Sequence, residues 1–487
     1  MSRRPGAAAS RVLALAALLV TGLGAAPAAQ ALPGLTIGFG GDPALVSSGA
    51  ATAPWLTRAV NEGAGMVRVN VLWQQVAPTH RPPGFVATDP ASPGYSWKPV
   101  DTAVRNLSAR GLTVLMMVYL APAWAQGPNP PSSARSGTWE PDPAQFAAFA
   151  QAAATRYSGH YADPLAPGHV LPRVRYWQGW NEPNLGYYLA PQYVRRGSGL
   201  SPASPAIYRL LQNAFYGALK RVAASNVVLM AGTSPYGDPA AGQGSIPVVM
   251  QRMRPVAFER GLFCLSAALR ALSCPAPTML DVFDHHPYDI KGPTHPALNA
   301  DDATVPDVFK ISRVLRAAER AGRVLPHGSK PFWATEISWD TNPPDPGGVP
   351  TQTQARWLEQ AFYILWRQGV STVLWLQIRD SPPVPSFAAS YQDGLYLMAG
   401  GTKPAATAFR FPFVTSRLSR SRVQAWGRSP VTGRVTIEAR RSGRWVAVSG
   451  LTLRKGQVFS TNLSLRGNVV LRARTASDTS LTWTQAA

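Results

Sequence analysis

The sequence predicts a (β/α)8 barrel followed by a small all-β module, and three observations predict it. Short apolar runs alternate with longer segments of helical period along most of the chain, the signature of β/α units around a parallel sheet. Eight such runs can be counted, which fits a closed barrel with enlarged loops better than an open doubly wound sheet. From residue 411 onward the pattern changes to brief alternating segments separated by Gly and Ser, as expected of antiparallel strands in a sandwich.

The eight runs are LTIGFG (35–40), MVRVNV (66–71), LTVLMMVY (112–119), VRYWQGW (174–180), VVLMAG (227–232), MLDVFDHH (279–286), PFWATEI (331–337) and TVLWLQI (372–378). Between them PAQFAAFAQAAATRY (143–157), AIYRLLQNAFYGALKRVAA (206–224) and TQARWLEQAFYILWRQG (353–369) place apolar residues at three- and four-residue spacing, the period of a helix with one buried face. The barrel domain is therefore set at 32–410 and the β module at 411–487. The Gly-rich Gly38-Phe39-Gly40-Gly41-Asp42 that ends the first run leads into no phosphate motif and reads as a tight turn.

Residues 1–31 precede all of this. Arg3, Arg4 and Arg11 flank an apolar run that ends near Ala29-Gln30-Ala31, the pattern of a secretory signal peptide with an A-x-A cleavage site near Ala31. A permanent anchor is the alternative, but the run is shorter than the roughly 20 residues a membrane span needs. The expected location is extracellular. Cys264 and Cys274 are the only cysteines, and an oxidising compartment permits a bridge between them, two buried thiols being the alternative.

With 487 residues, 46% of them hydrophobic and 15% charged, the chain can bury a sizeable core and is unlike a disordered one. The formal charge of +22 invites a nucleic-acid reading, but Arg outnumbers Lys by 40 to 7 in a chain also rich in Ala, Gly and Pro, a bias that high-G+C codons explain. No nucleic-acid partner and no membrane span in the mature chain are expected. The charge is uneven: residues 411–487 carry 13 Lys and Arg against only Glu438 and Asp478. That tail is expected either to be separable and hold an anionic polymer at a cell surface, or to cap the barrel. There is no H-E-x-x-H, no Walker loop and no calcium-loop pattern, so neither metal nor cofactor is expected.

In such a barrel the functional groups sit where strands end and loops begin, at the C-terminal face. The fourth run ends in Trp180-Asn181-Glu182-Pro183-Asn184 and the seventh in Ala334-Thr335-Glu336-Ile337-Ser338, so each brings a carboxylate to a strand end. One such Glu is ordinarily an ion-pair partner. Two on opposite sides of a barrel, flanked by aromatics, are the pair that glycosidic-bond cleavage requires, with an acid on one side of an oxocarbenium-like transition state and a nucleophile on the other.

On these residues the chain resembles the glycoside hydrolases of clan A, families 39 and 5 in particular, over about 35–409. The W-N-E-P-N string is its strongest element, and Asp393-Gly-Leu-Tyr and Thr402-Lys403-Pro404-Ala405 match the entry into the last helix. The resemblance implies that Glu182 is the acid/base and Glu336 the nucleophile of a retaining enzyme. It also implies that Asn181 bonds the sugar 2-hydroxyl, that Arg68 steadies the nucleophile, and that His286 and Tyr288 form the clan's His-x-Tyr with Tyr288 bonding the nucleophile. Trp375 would floor the first sugar subsite, although core packing is its alternative and Gln377 could take the place. Trp73, Trp124 and Trp339, with Trp139, Tyr187, Tyr188 and Tyr236, are the candidate stacking residues, roughly three of which should touch substrate.

The expected activity is hydrolysis of β-O-glycosidic bonds in a plant, microbial or cell-wall oligo- or polysaccharide. A non-catalytic glycan-binding barrel and a transglycosidase are the competing readings; the first would release no product from aryl glycosides, and the second would make longer ones.

Overall fold

The computed structural model describes residues 32–487 other than 48, 50 and 244. The export leader expected over residues 1–31 lies outside the described residues, and among those described no helix is long and apolar enough to cross a membrane. All eight runs form strands: β1 Thr36–Phe39, β2 Met66–Leu72, β3 Thr113–Tyr119, β4 Tyr176–Gly179, β5 Val227–Met230, β6 Phe283–Asp284, β7 Phe332–Ile337 and β8 Val370–Trp375. They pair in parallel in the order β5-β4-β3-β2-β1-β8-β7-β6. Parallel bridges Leu229↔Val282 and Thr233↔His285 join β5 to β6 and close the barrel. A helix follows each strand: α1 Thr52–Asn61, α2 Lys98–Ser108, α3 Pro143–Arg156, α4 Ser204–Val222, α5 Pro255–Leu262, α6 Val308–Arg320, α7 Thr351–Arg367 and α8 Pro404–Arg410.

The period-two alternation of a strand sorts the side chains into two cores. Met66, Leu115, Leu229, Val282, Trp333 and Leu374 fill the inside of the barrel. Their neighbours Val67, Val69, Val71, Val114, Met116, Val228 and Val373 point outward to the helices. Helix α3 shows why these segments are helical: Asp142 caps it by accepting from Ala144 N and Gln145 N, a Pro occupies the first turn, and Phe146, Phe149, Ala150 and Ala153 bury one face. The Phe146 ring stacks on Phe215 of α4 with centroids 4.9 Å apart.

Beyond α8 come β9 Phe413–Ser419, β10 Arg422–Arg428, β11 Gly433–Arg441, β12 Arg444–Leu453, β13 Val458–Ser464, β14 Val469–Arg474 and β15 Trp483–Gln485. They form two antiparallel sheets, β9-β10-β13 and β12-β11-β14-β15. From Pro33 to Ala487 the chain is one compact unit. Trp426 of β10 packs on Tyr363 and Trp366 of α7, 5.4 and 5.7 Å between centroids. Glu359 of α7 accepts from Phe413 N at 3.2 Å, and Arg410 pairs with Asp478 at 3.0 Å. The module therefore caps the barrel through a shared core. The Cys264–Cys274 disulfide is formed and closes a ten-residue separation in the loop between β5 and β6.

Candidate active site

The upper barrel layer is polar because the inward-facing positions of β2 run Met66, Arg68, Asn70, from apolar base to polar rim. Arg68 is 1% exposed and donates through Nη2 to Gly40 O at 2.9 Å and to Glu336 Oε1, and through Nε to Asn70 Oδ1 at 3.0 Å. This packing explains the glycines of the first strand end. A Cβ on Gly40 would lie 2.7 Å from Thr335 O, and Gly41, at φ +100°, has Asn70 where a side chain would go.

After β4 the chain turns sharply, with Trp180 at φ +80° and Glu182 at φ +36°, a conformation L-residues hold only when the surroundings impose it. The surroundings are specific. Trp180 Nε1 donates to Tyr188 O at 2.9 Å, Glu182 N to Gly232 O at 3.1 Å, and Asn184 Nδ2 to Ser234 O and Met253 O at 3.0 and 2.9 Å. Asn184, the last residue of W-N-E-P-N, thus staples the β4 loop to the loop after β5.

Glu182, His286 and Glu336 converge so that one donor or acceptor atom of each lies within 4.8 Å of the others. His286 Nδ1 is 3.1 Å from Glu182 Oε1 and 3.6 Å from Glu336 Oε2, while Tyr288 Oη donates to Glu336 Oε2 at 3.0 Å. Below them His286 Nε2 meets Thr335 Oγ1 at 3.1 Å and lies 3.6 Å from Asp284 Oδ2. Asp284 is wholly buried; it accepts from Gln178 Nε2 at 2.6 Å, from Thr335 N at 3.0 Å and from the Thr335 hydroxyl.

The two carboxyls live in opposite fields. Burial raises the proton affinity of Glu182, and the hydrogen bond and charge of His286 offset it only in part. Burial also opposes ionisation of Glu336, but His286, then Arg68, and hydrogen bonds from Arg68 and Tyr288 outweigh it and hold that carboxyl below its ordinary range. Burial works against the charged form of His286 as well; Glu336 foremost, then Asp284 and Glu182, overcome it and push His286 up to about 10. The upward push favours the form of His286 that can donate from both nitrogens, Nδ1 toward Glu182 and Nε2 toward Thr335.

The carboxyl of Glu336 opens into a cavity of about 360 Å³ whose other polar walls include Arg68, Asn70, Asn181, Tyr119, Tyr188, Gln377 and Tyr391. Asn181 Oδ1 is buried there without a hydrogen-bond partner. Of the residues anticipated from sequence, Arg68, Asn181, Glu182, His286, Tyr288 and Glu336 are brought together. The tryptophans are not. Trp375 is 0% exposed on the helix side of β8, because Leu374 beside it takes the inward position; its ring packs on Trp339 and its Nε1 donates to Asp393 O, leaving Leu376 and Gln377 on the cavity wall. Trp73 is buried against Phe146 and Phe149, Trp124 donates to Pro78 O beneath the Arg81 guanidinium, and Trp339 is buried with its Nε1 on Asp289 O. None of these three indoles lines the cavity. Tyr188 alone of the anticipated aromatics lines the cavity, joined by Tyr119 and Tyr391.

Neither a family model nor a curated protein matches the chain. Among solved structures it is similar to a family 39 glycoside hydrolase from the gut symbiont Bacteroides cellulosilyticus WH2, at 15% identity over 89% of this chain and 80% of that one, with a TM-score of 0.49. It is also similar to a family 39 β-xylosidase from Caulobacter crescentus (15% identity, 90% and 98% covered, TM-score 0.47). A third is a family 30 endoxylanase from Clostridium papyrosolvens C71 (12% identity, 94% and 97% covered, TM-score 0.44).

Proposed function

We propose that this chain is a retaining glycoside hydrolase that cleaves β-O-glycosidic bonds by double displacement. The observation that carries the reading is the pair Glu182 and Glu336, with carboxyl oxygens within 4.8 Å of each other and oppositely biased proton affinities. Retaining enzymes hold their carboxyls about 5–5.5 Å apart, whereas inverting ones leave about 6.5–9.5 Å for a water. One carboxyl kept protonated beside one kept ionised is how a single site runs acid and nucleophilic chemistry at the same pH.

In this scheme the ionised Glu336 attacks the anomeric carbon while Glu182 gives its proton to the departing glycosidic oxygen. Arg68 and Tyr288 each occupy one oxygen of Glu336 and so fix the direction of attack. In the second step Glu182, now a carboxylate, takes a proton from water, which displaces Glu336 from the sugar. The unpartnered Asn181 Oδ1 supports a role in accepting the hydrogen bond of a sugar hydroxyl. The disulfide fits action in an oxidising, extracellular compartment.

The test follows the unequal roles. Glu336→Ala should abolish turnover of every glycoside. Glu182→Ala should spare activated aryl glycosides in the first step, slow the second by about 10²–10⁴-fold, and recover with azide as a β-glycosyl azide. Proton NMR of the first product formed by the unaltered enzyme should show the β anomer; release of the α anomer would refute retention.

A further inference from the structure

The antiparallel register of the β module sends its strand ends to two opposite poles. The contacts that tie it to the barrel fall on Phe413, Gln424, Trp426, Arg428, Asp478 and Thr482, toward one pole or the middle of the strands. The other pole is formed by the β9–β10, β11–β12 and β13–β14 turns, since Arg422 pairs with Ser464 and Arg441 with Arg444 at those ends. Arg420, Arg422, Arg440, Arg441, Arg444 and Arg466 are exposed there, and among the described residues no ion pair joins any of them to an Asp or Glu. The module's two acids are committed elsewhere, Glu438 to Arg472 and Arg474 at 2.8 and 3.0 Å and Asp478 to Arg410.

Two features distinguish this from a scattered surplus of charge. The Ser442-Gly443 turn, at φ +46° and +80°, sets Arg441 and Arg444 directly opposite each other across the hairpin, a like-charge pairing that costs stability unless an anion lies between them. The neighbouring turns are also braced: Arg417 donates to Leu465 O at 2.8 Å, and Leu465 N to Ser421 O at 3.0 Å, so Arg420 and Arg466 are presented by fixed backbone.

A groove of about 400 Å³ leads away from Arg441 between β12 and β13, lined by Ser449, Asn462 and Ser464 together with the apolar run Val446–Val448 and Leu463 and Leu465. We propose that this pole and groove bind an acidic polysaccharide, its carboxylates or sulfates meeting the arginines and its hydroxyls the groove. Ser449, Asn462 and Ser464 give the groove hydroxyls and an amide for a sugar chain, whereas a nucleic acid strand draws on free aromatic platforms. Trp445, the one nearby indole, is covered by the Arg472 guanidinium at 4.1 Å. The inference does not depend on the catalytic assignment.

The test uses the full chain and a non-catalytic readout, binding to immobilised polygalacturonate and chondroitin sulfate. Affinity should collapse between about 50 and about 500 mM salt. Arg440→Gln, Arg441→Gln and Arg444→Gln together should weaken binding about tenfold. The matched set at the other pole, Arg434→Gln, Arg454→Gln and Lys455→Gln, removes the same charge and should change it less than about twofold. Arg444→Glu alone provides a second variant should the triple one fold poorly, as judged by its melting midpoint. Equal losses in the two sets, absence of binding at low salt, or a preference for phosphatidylserine vesicles, single-stranded nucleic acid or neutral glycans over the acidic ones would overturn the proposal.

Discussion

Asp284 touches neither carboxyl of the pair and acts on them only through His286, whose charge it supports. Asp284 lies beneath His286, wholly buried, with Oδ2 3.6 Å from Nε2. His286 faces four charged groups: Glu182 from the β4 loop, Glu336 from β7, Asp284 from β6 and, across Glu336, Arg68 from β2. At 3.6 Å and an effective dielectric of about 20, unit charges attract by roughly 4–5 kcal/mol. At about 1.4 kcal/mol per tenfold in proton affinity, Asp284→Asn should bring His286 from about 10 to the neighbourhood of pH 7. The sign for stability follows. A His raised above its free value of about 6.5 stabilises the fold fully below that pH and loses the contribution as pH rises through the folded value. The stability gap between wild type and variant should therefore narrow from about pH 7 to about pH 10. A pH-independent cost of about 1–3 kcal/mol from an amide set against the donors of Gln178 and Thr335 should sit beneath it. Nitrogen-15 NMR of the imidazoles is the assay: in the wild type one ring stays doubly protonated to at least about pH 9, and in the variant the same ring titrates near pH 7. A neutral His286 at pH 7 in the wild type, or an unchanged titration in the variant, would refute the reasoning.

Three further outcomes follow from the packing. Gly41→Ala, which forces a side chain onto Asn70 and through it onto Arg68, should lower kcat by at least about tenfold with a small change in melting temperature; a loss of stability with unchanged kcat in the surviving fraction would contradict the coupling. Cys264→Ser should cost roughly 2–3 kcal/mol in denaturant melts, and the wild type should lose the same amount under reductant. Trp426→Ala should cost about 3–5 kcal/mol while leaving one cooperative transition, since the ring belongs to the core that barrel and module share; two separated transitions in the wild type would show otherwise.

What could be read from the sequence and what could not divide along one physical line. Parallel barrel strands are buried on both faces, so they appear as continuous apolar runs that are easy to find but silent about which residues face inward. All eight runs became strands, and the two glutamates could be singled out because each ends such a run and two of them, unlike one, are not ordinarily explained by ion pairing; the structure brings them together. Trp375 stays open in the sequence for the same reason: in TVLWLQI both faces are apolar, and only the structure shows Leu374 inside and Trp375 in the core packing that was its alternative. Asn70 was missed although its signal was present, a polar residue two positions from Arg68 and so on the same inward face of an apolar strand. Asp284 carried a similar mark. In MLDVFDHH four of eight residues are polar, too many for an ordinary barrel strand, and within the barrel sheet the run is a regular strand only over Phe283–Asp284, with single bridges at Val282 and His285. Its polar side chains bond in place of the ladder, Asp281 accepting from Val228 N and Asp284 from Thr335 N. An apolar run interrupted by charge in the middle of a buried sheet is thus itself a site signal. The interruption persists only where neighbouring groups compensate it, and here the compensating groups are those that hold His286 beneath the carboxyl pair.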